Sequence, residues 1–225
     1  MRITLISDTH GKHDHFTSNA YGNLLGSGDV LIHAGDVSNV GRVTEIYNFL
    51  DWFSDVDYTH KVFIAGNHDW GFEKMTEIPE IFREKNVHYL FDSMVEIAGL
   101  KIYGSPWQPE FFNWAFNLPR MGSELQEKWD LIPEGLDILV THGPGWGMLD
   151  NPPNGLNVGC ELLQKRVVEV SPKIHVFGHI HHSYGQKYFN GTEYINAALL
   201  DERYNPTNKP IMIDYDVNTK KFDYV

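Results

Sequence analysis

The sequence predicts an α/β protein in which mixed sheets carry helices on their outer faces. Two patterns support this. Short apolar runs alternate with longer amphipathic stretches, the rhythm of strand–helix–strand units. Other runs come in close pairs with turn residues between them, which adds hairpins that a purely parallel sheet lacks.

In chain order, residues 3–7, 30–33, 62–65, 138–141 and 175–177 read as buried strands. Val43, Ile46, Leu50 and Phe53 repeat at three- and four-residue spacing and predict a helix. Ile81 and Phe82 mark a second helical stretch, and Leu162, Leu163, Val167 and Val170 a third. Residues 94–97 and 101–104 flank Ala98-Gly99-Leu100 as a hairpin, and Asn190-Gly191 is a strong hairpin turn. A terminal hairpin is expected around Asn218. No repeat, low-complexity tract or linker breaks the chain, so one domain over residues 1–225 is expected.

Composition narrows the function. Acidic residues outnumber Lys and Arg by 30 to 18, a formal charge of −12. A protein gripping a phosphate backbone usually presents a basic face, so nucleic acid is not the expected partner. A phosphorylated small molecule remains open, because bound cations can reverse a local field. One cysteine, Cys160, rules out a disulfide framework and a cysteine-only zinc site; at the start of a helical stretch it reads as an inert thiol. No apolar run approaches the roughly 20 residues of a membrane span. The first eight residues are too soon interrupted for a signal peptide and read as a strand, so a cytoplasmic protein is expected. Dinucleotide-loop, phosphate-loop, zincin and nucleophile-elbow motifs are absent.

The chemistry lies in five polar clusters, each directly after an apolar run: Asp8-Thr9-His10, Gly35-Asp36, Gly66-Asn67-His68-Asp69, Thr141-His142-Gly143 and Gly178-His179-Ile180-His181. Ligands of open α/β sheets bind at the carboxyl ends of strands. Carboxylate, amide oxygen and imidazole together suit borderline divalent metals such as Mn, Fe, Zn or Ni. Seven such side chains exceed the needs of one ion and suit two ions sharing a carboxylate, roughly 3.5–4 Å apart. Asp8 and His10, like His179 and His181, would share a face if their strands continue. The glycines before Asp36, Asn67 and His179 would let the chain turn sharply. For any one of these residues, a hydrogen-bonded strand-end side chain is the simpler account; the ordered set is not explained that way.

At these residues the sequence resembles the calcineurin-like metallophosphoesterases, whose pattern runs Asp-x-His, Gly-Asp, Gly-Asn-His-Asp/Glu, a lone His near a Gly, and Gly-His-x-His. Gly104-Ser105-Pro106-Trp107, Phe116-Asn117-Leu118-Pro119-Arg120, Thr141-His142-Gly143-Pro144 and Asn205-Pro206-Thr207-Asn208 are similar to a branch of small metallophosphoesterase-domain proteins first associated with fetal brain, and to its bacterial relatives. The resemblance implies a four-layered α/β/β/α sandwich of two mixed sheets flanked by helices. It implies Asp8, His10 and His181 on a first metal, Asn67, His142 and His179 on a second, and Asp36 bridging. His68 would face substrate as general acid or charge stabiliser, with Asp69 orienting it. A metal-bridging hydroxide would attack phosphorus in line with the leaving group. Two divalent ions are expected, Mn first, with Fe, Zn or Ni as alternatives.

The function expected is phosphate-ester hydrolysis, with diesters, cyclic nucleotides among them, ahead of monoesters. A broad phosphomonoesterase or phosphoprotein phosphatase is the alternative, and a non-catalytic metal-binding scaffold a more distant one. The aromatic segment of Trp107, Phe111, Phe112, Trp114 and Phe116 reads either as core packing or as a wall for a base or aromatic leaving group, with Asn113 or Asn117 adding hydrogen bonds. His182 stands where the resemblance leads one to expect an acidic residue, and could touch substrate. Arg42 suits either phosphate contact or a helix surface. His33 and His175 read as strand residues. His13, His15, His60 and His88 read as surface, with His13 close enough to Asp8 to reach the rim.

Overall fold

The computed structural model describes residues 1–18, 22–75 and 77–225. The first half of the chain winds through β1 (Arg2–Ile6), α1 (Asp14–Thr17), β2 (Gly28–His33), α2 (Val43–Asp55), β3 (Tyr58–Phe63), α3 (Glu80–Arg83) and β4 (Val87–Tyr89). These four strands pair in parallel. They are apolar on both faces because both are covered. Ile3, Leu5, Val30, Ile32 and Val62 face a second sheet, while Ile6, Leu31 and Phe63 meet Ile46, Phe49, Leu50 and Phe53 of α2. The buried stripe of α2 is therefore shifted from the predicted one: Phe49 is in, and Val43 is 70% exposed.

The second half opens with the hairpin β5 (Ser93–Ile97) and β6 (Leu100–Ser105). Its turn is only Ala98-Gly99, both left-handed with φ of 48° and 85°. The short pair β7 (Gln108–Pro109) and β8 (Asn117–Leu118) closes the aromatic loop. Then follow α4 (Ser123–Asp130), β9 (Ile138–Thr141), α5 (Glu161–Val170), β10 (Ile174–Phe177), β11 (Gly185–Phe189) and β12 (Thr192–Asn196). Helix α4 was not legible because only Leu125 and Trp129 of its eight residues are buried. Cys160 caps α5, its buried Sγ accepting from the Leu163 N–H. Finally β13 (Ile211–Asp216) and β14 (Lys221–Tyr224) return to the first sheet.

The two six-stranded sheets run β14-β13-β1-β2-β3-β4 and β11-β12-β10-β9-β6-β5. Ile102, Ile138, Val140, Ile174, Val176 and Ile195 fill the space between them, and Leu125, Trp129, Leu163 and Val167 cover the second sheet from outside. The result is the expected four-layered sandwich. At the N-terminal end of β9, buried Asp137 accepts from the Tyr215 hydroxyl at 2.7 Å, which ties the two sheets together. No helix among the described residues is long and apolar enough to cross a membrane.

His33 and His175 occupy matching places in the two sheets, fully buried on β2 and β10. His33 Nε2 lies 2.9 Å from the hydroxyl of Thr9. Thr141 donates its proton to the Gly143 carbonyl, so the His175 Nε2–H, 2.8 Å away, must donate to Thr141. Each histidine thus braces a threonine adjacent to predicted metal ligands. His60 and His88 are half-buried on adjacent strands rather than on the surface, their Nδ1 and Nε2 3.4 Å apart.

Burial lowers the pKa of both His33 and His175 to about 3. The native protein therefore keeps them neutral while the unfolded chain takes up protons below about pH 6.5. Their contribution is intact above that pH and is lost as the pH falls towards 3. For one such histidine the loss between pH 7 and pH 5 is about 2 kcal/mol. We expect His175→Gln, which keeps a donor for Thr141, to lose less stability over that interval than the native sequence by about this amount. Urea unfolding at the two pH values reads this out, and equal losses would contradict it.

Candidate metal centre

The carboxyl ends of β1, β2 and β3 meet those of β9 and β10 at one end of the sandwich. Asp8 and His10 follow β1, Asp36 follows β2, Asn67 and His68 follow β3, His142 follows β9, and His179 and His181 follow β10. The strands do not continue through these residues, so the shared-face expectation fails. Asp8, His10, Asp36 and His179 are instead left-handed, with φ of 56°, 42°, 55° and 65°, and such backbone persists only where its surroundings enforce it. Two of the glycines serve close approach rather than turning. A Cβ on Gly178 would fall on the Asp8 carboxylate and the Ser7 side chain, and one on Gly66 on the Asp36 carboxylate.

The ligand atoms form three overlapping groups: Asp8, His10 and His181; His10, Asp36 and His68; and Asp36, His142 and His179. Asp36 Oδ2 lies 3.3 Å from His142 Nε2, 3.6 Å from His10 Nε2 and 4.0 Å from His68 Nε2. His181 Nε2 stands 3.3 Å from Asp8 Oδ1. Asn67 Oδ1 is 3.0 Å from His142 Nε2. Asp36 is therefore shared, as a bridging carboxylate must be. All seven predicted ligands converge, with at most partial exposure.

The surroundings aim the ligands. A carbonyl oxygen can only accept, so the Nδ1–H of His142 donates to Ala34 and that of His181 to Asp201, each at 2.9 Å. Both Nε2 atoms then face the cluster, the arrangement that backbone carbonyls enforce on metal-bound histidines. Both ring nitrogens of buried His10 lack any hydrogen-bond partner. An orphaned imidazole between two carboxylates fits a cation there better than a closed polar network. The donor set of carboxylate, amide oxygen and imidazole, without thiolate, fits two divalent ions.

Charge in the site is shared between carboxylates and protons. Burial would raise Asp8 and Asp36, but histidine contacts hold both carboxyls low. Burial opposes protonation of His142 and His181, yet Asp36 raises the first and Asp8 the second, to about 9 in each case. Burial dominates at His10 and His179, lowered to about 4 and about 3.

Several predicted roles change. Asp69 does not orient His68. Its fully buried carboxylate instead accepts from the N–H groups of Val37, Ser38 and Gly66 and from the Ser38 hydroxyl, splicing two ligand loops together. Burial and nearby Asp36 push it up to about 6. His68 is set by Asn39, whose carbonyl accepts from Nδ1–H at 2.7 Å, and by Trp114, which stacks on the ring at 4.1 Å. Trp114 is thus beside the site. Trp107 is not: its indole N–H donates to Asp92 and Lys128 sits over its ring. Asn117 turns inward to hold the carbonyls of Phe111 and Phe112, and Asn113 is exposed on the same loop. His182 lines the cleft over the metal ligands, its Nδ1 2.6 Å from Glu202. Arg42 is exposed at the start of α2. His13 is buried beneath Trp52 at 4.8 Å instead of reaching the rim.

Sequence reasoning missed Asn39 and Tyr204, whereas Phe111 belongs to the aromatic segment that it read as core or wall. Tyr204 sets its ring edge-on to His10 at 4.7 Å, and Phe111 packs against His179 at 5.2 Å. Tyr204 directly precedes Asn205-Pro206-Thr207-Asn208, the one local signal that could have found it.

Because His142 and His181 are protonated below about pH 9, a cation must displace their protons. Affinity for Mn should therefore rise from pH 6 to pH 8, with about two protons released per protein near pH 7. Calorimetric titration in buffers of different ionisation enthalpy measures that count. A pH-independent affinity without proton release would contradict the assignment.

A family model described as calcineurin-like phosphoesterase matches residues 1–183. The chain is 43% identical over 95% of its length to human metallophosphoesterase domain-containing protein 1, covering 70% of that protein. It is 37% identical over 99% of its length to UPF0046 protein T07D4.2 of Caenorhabditis elegans, covering 62% of it. Among solved structures, TT1561 of Thermus thermophilus superposes with a TM-score of 0.64 at 14% identity, covering all of this chain and 97% of that one, and shares the fold. The ordered ligand blocks, the shared carboxylate and these similarities together place the chain in the calcineurin-like phosphoesterase family, which hydrolyses phosphoesters with divalent metal.

Proposed function

We propose that the protein is a phosphodiesterase, with cyclic nucleotides among its substrates and Mn as the first candidate metal. The observation that supports diesters is the lining of the cleft over the ligands. This cleft holds about 230 Å³ and is bordered by His68, Phe111, Pro152, His182, Glu202 and Tyr204. No Lys or Arg lines it among the described residues, and Glu202 adds a carboxylate. A monoester dianion calls for cationic donors beyond the metals, whereas a diester monoanion needs fewer.

When bound, two divalent cations supply Lewis-acid charge to the phosphoryl group and lower the pKa of water. The chain supplies the rest. Asp8 and Asp36 fix the negative charge that holds the cations. Asn39 and Trp114 fix the ring of His68 with Nδ1–H committed, which leaves Nε2 as the only nitrogen able to deliver a proton to a leaving oxygen. The ring is partly exposed at the cleft.

After chelation and restoration with Mn, bis(p-nitrophenyl) phosphate should turn over faster than p-nitrophenyl phosphate; the reverse order would favour a phosphomonoesterase. His68→Asn should cost about 10²–10⁴-fold in kcat for a phenyl ester. The loss should be smaller for a p-nitrophenyl ester, whose leaving group needs less protonation. An equal loss on both esters would remove the proton-donor role.

A further inference from the structure

A second cleft, of about 310 Å³, opens beside the first and shares Phe111, Pro152, His179 and Ile180 with it. Most of its remaining wall is apolar, formed by Pro109, Pro144, Val158 and Cys160, with Gln108 as an uncharged polar member. Arg120 reaches this cleft, but its guanidinium is committed to the carbonyls of Val158 and Gly159 and to Glu161. The walls therefore offer shape and apolar surface without a free charge.

The cleft is also preformed. Asn117 donates to the carbonyls of Phe111 and Phe112, which orients its amide. Its Oδ1 then faces Gln108, whose Nε2 donates to it at 3.1 Å. This relay fixes the loop from Gln108 to Asn117 as a rigid wall, which limits the ordering cost of binding. At its tip Phe112 is 83% exposed in a left-handed conformation with φ of 51°. Its ring lies 5.4 Å from that of Phe111. Holding an aromatic ring in water on strained backbone is costly, and the cost falls beside Phe111, which lines both clefts.

We propose that this cleft seats the uncharged apolar organic arm of the phosphoester whose phosphoryl group lies over the metal ligands. The proposal rests on the phosphoesterase reading and adds what that reading leaves open, namely which group the ester carries. An aromatic ring system and a branched or linear alkyl chain share the required chemistry; charged arms, such as a second phosphate or a carboxylate, do not.

The test is calorimetric binding of methyl-, hexyl-, phenyl- and naphthylphosphonate, each as its monomethyl ester and so a monoanion like a phosphodiester, to the Mn-loaded protein. Affinity should rise by at least about tenfold from methyl- to naphthylphosphonate, as burial of apolar surface requires. Val158→Trp, which fills the cleft, should abolish that gain, and Val158→Ala should reduce it. A gain with hexyl equal to that with naphthyl supports the seat with an alkyl arm, and a gain with the aryl members only supports it with an aromatic one. Binding of methylphosphonate with no gain along the series, or a full gain retained in Val158→Trp, overturns the seat and leaves the phosphoesterase reading standing. Failure of every phosphonate to bind overturns both.

Discussion

The rest of the structure is arranged around two carboxylates buried at the meeting point of the sheets. Asp8 is fully buried and Asp36 is 2% exposed. A buried carboxylate without compensation is very costly. The protein answers with backbone N–H groups, His179 to Asp8 and His68 to Asp36, and with imidazoles that carry protons when no cation is present. Close approach of other strand ends to these carboxylates leaves no room for a Cβ at Gly66 or Gly178. The same crowding holds four ligands in left-handed backbone. Stability and metal affinity thus draw on one set of charges.

Both sheets brace the centre in the same way. A buried histidine inside a strand holds a threonine beside the ligands, His33 with Thr9 in one sheet and His175 with Thr141 in the other. Asp69 joins the loops after β2 and β3. The Ala115 N–H donates to the Asn67 carbonyl, so the aromatic loop is tied to a ligand by its backbone. Trp114 and Phe111 then take their places against His68 and His179. The loop thus packs on candidate ligands on one side and walls the second cleft on the other.

The convergence of the seven candidate ligands and His68 was legible because each block follows an apolar strand and the blocks come in a fixed order. The role that the resemblance implied for Asp69 does not hold: a neighbour in the chain need not point at its neighbour, and here the carboxylate turns back to the backbone donors of Val37, Ser38 and Gly66. Trp107 and Asn117 were drawn from an aromatic segment whose side chains divide between inside and outside. Only tertiary contact decides that division, since Asp92 lies 15 residues from Trp107 in sequence. Asn39 acts through a carbonyl group, which every residue has, so its identity carries no signal.

The sequence by itself determined the α/β class, the hairpins and the donor types gathered at the candidate centre. Those properties follow from local periodicity, from turn residues and from the donor types that a divalent cation accepts. Tertiary structure decided which ligands share Asp36, which backbone groups aim the imidazoles, and that an uncharged cleft adjoins the ligands. These depend on side chains from distant strand ends arriving within hydrogen-bonding distance. That arrival is fixed by how two sheets pack, and no short stretch of chain encodes it.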